Sequence, residues 1–328
     1  RAPLRGQVNP GSSAPEPVTA VFESTGAWLP NGLALVEEQL LDAVDGAGPL
    51  TADAVATLKA GGKRMRPMLV LLCAGPEAGP RAIRSAVAVE LIHMASLVHD
   101  DVLDRAPLRR GRPTVFASSG RDQATALGDR LFSTAFAVLA DAGDEAAITE
   151  LSSTAVDLAR GELMQRRGAF DLSLTEDDYL ERCRLKTGRL FAAACVLGRS
   201  SLDPSQADTL AAFGHRIGLA FQMLDDVLDI SGPVERTGKA RGTDLLDGTV
   251  TLPLIVAIES DPALAEVDLS RLDEAGAADL CDRIAETGAL DEVRTRAMEL
   301  IAQAKAGLES TGLDAEQVRL LELIADGV

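Results

Sequence analysis

Hydrophobic and polar positions recur along most of the chain with the spacing of a helix. Residues 33–44 carry one apolar and one acidic face and predict a first helix that ends near Gly46. Thr51 with Asp53 opens a second, which stops at Gly61-Gly62. Residues 81–104 are apolar nearly all round, through Ala82, Ile83, Ala86, Val89, Leu91, Ile92, Ala95 and Leu97, and predict a long buried helix. Residues 123–141, 145–167 and 204–229 read as further helices, Thr251-Leu252-Pro253 restarts one, and 271–326 reads as short amphipathic helices packing the outside. Thr175 followed by Glu176-Asp177-Asp178 has N-cap chemistry, so Asp177 and Asp178 read as cap and helix-dipole partners, not as ligands. No period-two pattern persists, so the fold class is all-α, a bundle of about ten or more helices. The Pro-, Gly- and Ser-rich start predicts a disordered tail over 1–20 ahead of a single domain over 21–328.

One string occurs twice. Asp100-Asp101-Val102-Leu103-Asp104 ends the buried run, and Asp225-Asp226-Val227-Leu228-Asp229 ends the helix over 204–229. At about 100° per residue, Asp100 and Asp104 lie about 40° apart and Asp101 about 60° beyond. Such carboxylates on a mostly buried helix repel one another and lose hydration unless a cation neutralises them. A lone acidic triplet is usually a solvated face. Here the intervening Val and Leu, and the apolar flanks at 91–98 and 219–224, make a surface role a poor account of two identical strings. Facing one another, the two edges would form a cage of six carboxylates suited to Mg²⁺, which takes a few carboxylates and completes its shell with water and substrate phosphates.

Composition narrows the partners. A chain of 328 residues, 46% hydrophobic, can bury a large core, and only 3% aromatic residues disfavours strands. A net charge of −18 argues against a nucleic-acid or anionic-membrane partner. Cys73, Cys183, Cys195 and Cys281 have no metal-ligand spacing and read as core thiols of a reducing compartment. With no run of about 18 uncharged apolar residues, and no apolar secretory signal at the start, no transmembrane segment is expected and the reading is a cytoplasmic protein.

An acidic protein that handles phosphates must concentrate its cations locally. The Gly61-Gly62 break followed by Lys63-Arg64-Met65-Arg66-Pro67 offers backbone N–H groups and fixed charge, which suits a diphosphate. His93 lies two turns before Asp100 on the same face. Arg109-Arg110-Gly111-Arg112-Pro113-Thr114 is an arginine-dense turn whose guanidinium forks match phosphate oxygens. In Lys186-Thr187-Gly188 a Thr beside a Gly weakens the helical ladder and turns carbonyl oxygens toward a cavity, where a developing cation would be stabilised. Gln222 shares a face with Asp225. Residues 230–251, glycine-hinged and carrying Lys239, read as a lid loop.

These motifs together resemble the trans-isoprenyl diphosphate synthases, the polyprenyl synthetase family, from about residue 33 to the carboxyl end. The resemblance rests on 61–67, 90–104, 109–114, Gly161-Glu162, Lys186-Thr187 and 221–229. It implies a single helical bundle of isoprenoid synthase type around a central cavity, and Mg²⁺-dependent head-to-tail condensation of isopentenyl diphosphate with an allylic diphosphate. The product would be an all-trans polyprenyl diphosphate, and the released diphosphate would take the final proton. Asp100, Asp104 and Asp225 would hold about three Mg²⁺ ions, with Asp101, Asp226 and Asp229 as outer-shell or water-mediated partners. Arg109, Lys186 and Lys239 would contact the allylic diphosphate; Lys63, Arg66, His93 and Arg110 the diphosphate of isopentenyl diphosphate; Thr187 and Gln222 would lie near the allylic cation. A homodimer is expected on the same basis.

Two departures stand out. Thr249 occupies a position where the family commonly has Lys, which predicts weaker allylic binding, and the carboxyl end lacks the basic tail of some short-chain members. Ala95 and Ser96, one turn before Asp100, are small where an aromatic would floor a product tunnel, so a twenty-carbon or longer product is favoured over a farnesyl one, although Phe132 could close the tunnel deeper down. A class I terpene cyclase is disfavoured by the repeated acidic string, and a non-catalytic regulatory subunit by the completeness of both copies.

Overall fold

The computed structural model describes residues 16–45, 48–59, 62–199, 203–232 and 241–328. They group into two compact units, Arg1–Ala155 with Leu190–Gly214 and Gly307–Val328, and Val156–Arg189 with His215–Ala306. The pattern of apolar positions says which face of a helix is buried, not which helices share a core.

In the first unit α1 (Glu16–Thr25), α2 (Trp28–Val44), α3 (Thr51–Lys59) and α4 (Met65–Ala74) lead to α5 (Pro80–Leu103). The expected tail over 1–20 is therefore too long, because 16–20 are helical. Val18 and Val21 bury against a partner distant in sequence, the carboxyl-terminal helix α16 (Ala315–Asp326), and local composition does not reveal that partner. The helix α16 is part of this core: Leu320, Leu321 and Ile324 are buried, and Gln317 Nε2 donates to the carbonyls of Leu72 (2.9 Å) and Cys73 (3.1 Å), two of the orphan acceptors ending α4.

Helix α5 packs along α2, α4 and α7 (Arg121–Ala140). It is long and apolar enough to cross a membrane, but 72% of that span is buried inside the protein, as suits a core helix. Between α5 and the short α6 (Val115–Ser119) lies the one departure from all-helical structure among the described residues, a hairpin of β1 (Leu108–Arg109) and β2 (Arg112–Pro113). A two-residue strand is too short to leave an alternating pattern. Its turn residues Arg110 (φ 51°) and Gly111 (φ 72°) both take the left-handed conformation that two-residue hairpins require.

Helix α8 (Glu145–Arg167) supplies residues to both units, as does α11 (Pro204–Ser231). The second unit also contains α9 (Glu176–Cys183), α12 (Thr243–Leu246), α13 (Leu252–Ser260), α14 (Glu274–Glu286) and α15 (Ala289–Gly307); α10 (Arg189–Leu197) lies almost wholly in the first. The cap read at Thr175 is present as a reciprocal capping box with Asp178. Between α9 and α10, Arg184–Gly188 forms a π-helical turn at the Thr-Gly step expected to disturb the ladder.

Candidate active site

In the first unit the cations gather around α4 and α5. Arg64 precedes α4 in a left-handed conformation (φ 49°). It pairs with Glu37, donates to Glu90 Oε1 at 2.7 Å and to the Leu58 carbonyl at 3.0 Å, so it anchors the loop between α3 and α4. Lys63 is exposed. Arg66 lies with its guanidinium 4.5 Å above the Phe191 ring, and its buried Nε has no hydrogen-bond acceptor. Burial pushes the Arg66 pKa down to about 10, Glu90 opposing and Arg110 adding to the effect. His93 is held well below its ordinary value, first by burial and then by Arg66, Arg110, Arg109 and Arg64, so its imidazole is neutral. A Cβ on Gly62 would sit 3.1 Å from Arg110 Nη1, so the hairpin's arginine packs over the glycine of the cationic loop. Two arginines of this cluster thus occupy left-handed backbone, the kind of strain that concentrates at functional sites. Together Arg66, Arg110 and neutral His93 make a seat of donors that favours an anion.

The first acidic string ends α5 here. Asp100 is half-buried and Asp104, the C-cap, is exposed. Asp101 is buried and accepts from Arg109 Nε at 2.8 Å.

In the second unit a Cβ on Gly161 would lie 2.7 Å from the Lys186 backbone nitrogen, so α8 meets the π-helical turn backbone to backbone. That closeness puts Lys186 Nζ 2.5 Å from Glu162 and 3.1 Å from Gln165 Oε1. Burial alone would raise the Glu162 pKa, but the Lys186 charge and hydrogen bonds from Lys186 and Arg166 outweigh it and hold it below the usual value. Thr187 Oγ1 donates to Gln222 Oε1 (2.9 Å), Gln222 Nε2 donates to Asp226 Oδ1 (2.8 Å), and Tyr179 Oη donates to Asp226 Oδ2 (2.7 Å). Burial raises the Asp226 pKa against the pull of those hydrogen bonds and of Arg182. Asp225 is exposed. Asp229 Oδ2 accepts from the Asp244 backbone N–H at 3.2 Å, tying the end of α11 to the start of α12. Lys239 lies outside the described residues, as does most of the basic part of the expected lid. Thr249, half-buried, donates its N–H to the Asp244 carbonyl at 2.8 Å.

The two acidic strings belong to different units. Among the described residues no three His, Cys, Asp or Glu side chains form a metal-holding group. The buried Asp101 and Asp226 turn to half-buried Arg109 and to Gln222 with buried Tyr179. Sequence reasoning missed Tyr179, Arg182, and the roles of Glu37 and Glu90. One signal could have found the first: Tyr179 is the single tyrosine of an aromatic-poor chain, two turns before Lys186.

Comparison with known proteins accounts for this arrangement. The polyprenyl synthetase family model matches residues 49–282. The heptaprenyl diphosphate synthase component 2 of Geobacillus stearothermophilus is 43% identical over 246 residues, 74% of this chain and 77% of that protein. The geranylgeranyl diphosphate synthase of Methanosarcina mazei is 37% identical over 283 residues, 81% and 85% of the two chains. The crystal structure of a polyprenyl synthase from Caulobacter crescentus CB15, complexed with calcium and isoprenyl diphosphate, superposes with a TM-score of 0.84 at 32% identity, covering 97% of this chain and 98% of that one. The paired acidic helix ends, the cationic loops and the all-α isoprenoid synthase fold therefore have one reading: the chain belongs to the polyprenyl synthetase family of trans-isoprenyl diphosphate synthases, and is a prenyltransferase.

Proposed function

We propose that the protein condenses isopentenyl diphosphate head-to-tail with an allylic diphosphate in a Mg²⁺-dependent reaction, releasing an all-trans product of geranylgeranyl length or longer, and that it works as a homodimer in the cytoplasm. The observation that carries the reading is Arg66, half-buried with a buried Nε that lacks an acceptor, beside neutral His93 and Arg110. Those three with Lys63 bind the diphosphate of isopentenyl diphosphate. Arg109, Lys186 and Lys239 contact the allylic diphosphate, and Thr187 and Gln222 face the cation left when its carbon–oxygen bond breaks. That carbon joins the terminal alkene carbon of isopentenyl diphosphate, and the leaving diphosphate accepts the proton lost on forming the new double bond.

The donor set fits a hard divalent cation: Asp100 with Asp104, and Asp225 with Asp229, stand one turn apart at helix ends, with Asp104 and Asp225 exposed to water. Asp100, Asp104 and Asp225 would hold the ions. Bound Mg²⁺ supplies positive charge that stabilises the departing diphosphate. The calcium and isoprenyl diphosphate complexed with the Caulobacter polyprenyl synthase support both ligand classes. Incubating the purified protein with isopentenyl diphosphate, Mg²⁺ and each of the five-, ten- and fifteen-carbon primers, then sizing the products, tests the proposal. Absence of product with every primer, or undiminished turnover in excess EDTA, rejects it.

A second reading is favoured by one observation: the Geobacillus relative, and another from Bacillus subtilis, are each component 2 of a heptaprenyl diphosphate synthase. The chain would then be one subunit of a two-component synthase, and product would appear only when a second chain is added.

Two substitutions probe the departures. Ala95 is fully buried in α5, and the Ser96 hydroxyl is turned to the His93 carbonyl at 2.8 Å. Ala95→Phe should shorten the product, at an overpacking cost of about 1–3 kcal/mol in stability; an unchanged product places the floor elsewhere, such as at Phe132, which stacks on His99 with centroids 5.8 Å apart. Thr249→Lys should lower the allylic Michaelis constant about ten-fold, the worth of one charge-assisted hydrogen bond. A constant that does not fall shows that the missing lysine is immaterial.

A further inference from the structure

We propose that Tyr179 is a positioning residue for prenyl transfer, acting through Asp226 and Gln222 to set the direction of the Thr187 hydroxyl. The inference deepens the prenyl-transfer reading above and rests on it. Tyr179 is 1% exposed and touches neither Lys186 nor Thr187 by any hydrogen bond described above. Its ring is fixed from behind by Arg182, whose guanidinium lies 5.2 Å from the ring centroid and donates to the Val250 carbonyl at 2.9 Å.

With Asp226 accepting at both oxygens, the chain of bonds has a single polarity. A phenol offers one proton, and Tyr179 gives it to Asp226 Oδ2. The other carboxylate oxygen accepts from Gln222, so the amide must present its NH₂ to Asp226 and its carbonyl to the other side. Facing that carbonyl, Thr187 must donate its only hydroxyl proton to it. What remains on Thr187 Oγ1 is two lone pairs, which attract a developing carbocation. An amide free to flip would present NH₂ to Thr187 and turn the hydroxyl proton outward, placing positive charge where the cation forms. Asp226 prevents that flip, and Tyr179 holds the Asp226 carboxylate turned toward Gln222. Because the cation exists only in and after the transition state, the arrangement acts on kcat and leaves ground-state binding alone.

The test is a double-mutant cycle of Tyr179→Phe with Thr187→Val, each assayed for kcat and both Michaelis constants. The ring of Phe preserves packing while the phenolic proton is lost. Tyr179→Phe alone should lower kcat about ten-fold or more, with the Michaelis constant for isopentenyl diphosphate unchanged. In the Thr187→Val background the same change should cost less than about two-fold. Full kcat in Tyr179→Phe overturns the relay, and so does an equal loss in both backgrounds, which marks a purely structural role. If Tyr179→Phe does not fold, Gln222→Met replaces it at a half-buried position: non-additivity with Thr187→Val supports the relay, and additivity or full activity overturns it. An inactive wild-type enzyme run alongside strikes the prenyl-transfer reading instead, and is told apart from a failed relay by the wild-type product alone.

Discussion

Asp225→Asn is expected to lower kcat about 10²–10³-fold, the loss that follows removal of one preorganised electrostatic contact to a developing negative charge. The substitution keeps the shape of the side chain and removes its charge. Asp225 is exposed near the end of α11. An exposed carboxylate there is available to a cation, and an amide oxygen is a much poorer ligand for Mg²⁺. The Mg²⁺ concentration giving half-maximal rate should rise together with the fall in kcat, while the Michaelis constant for isopentenyl diphosphate stays put. Steady-state rates across a Mg²⁺ titration decide the matter. A variant with wild-type kcat and wild-type metal dependence removes Asp225 from the metal site.

Arg66→Leu is expected to raise the Michaelis constant for isopentenyl diphosphate about 10- to 100-fold, as lost charge-assisted hydrogen bonds of roughly 1.5–3 kcal/mol require. Its effect on stability should have the opposite sign. The Arg66 pKa is pushed down to about 10 chiefly by burial. A base whose folded pKa lies below its unfolded value is less easily charged when folded, so below about pH 10 the folded state carries that penalty. A leucine, packed on Phe191, relieves it. Thermal unfolding should therefore show an unchanged or raised Tm alongside the loss of binding, a trade common where a site keeps an unpaired charge for its ligand. A lowered Tm with an unaltered Michaelis constant assigns Arg66 to the fold and not to the substrate.

The helices were legible because their signals are local. The all-round apolar run of α5, the cap at Thr175 and the Pro253 start of α13 each act within a few residues. The same holds for the disturbed ladder at Lys186-Thr187-Gly188, where the π-helical turn forms. Errors fell where a distant partner decides the outcome. Residues 16–20 look like tail until α16 covers Val18 and Val21, and the hairpin at 108–113 is too short to declare itself.

From the sequence alone came the family, the helical class, and the list of charged residues proposed to serve a diphosphate, since those depend on residue types at fixed spacing. Which carboxylate of each pair is buried and which is more exposed was decided by packing. Asp100 and Asp101 are neighbours in one motif, yet only Asp101 is buried on Arg109; Asp225 and Asp226 divide likewise, with Asp226 taken by Tyr179 and Gln222. Adjacent positions on a helix point about 100° apart. What each one meets is set by elements far along the chain, and that is information no local pattern carries.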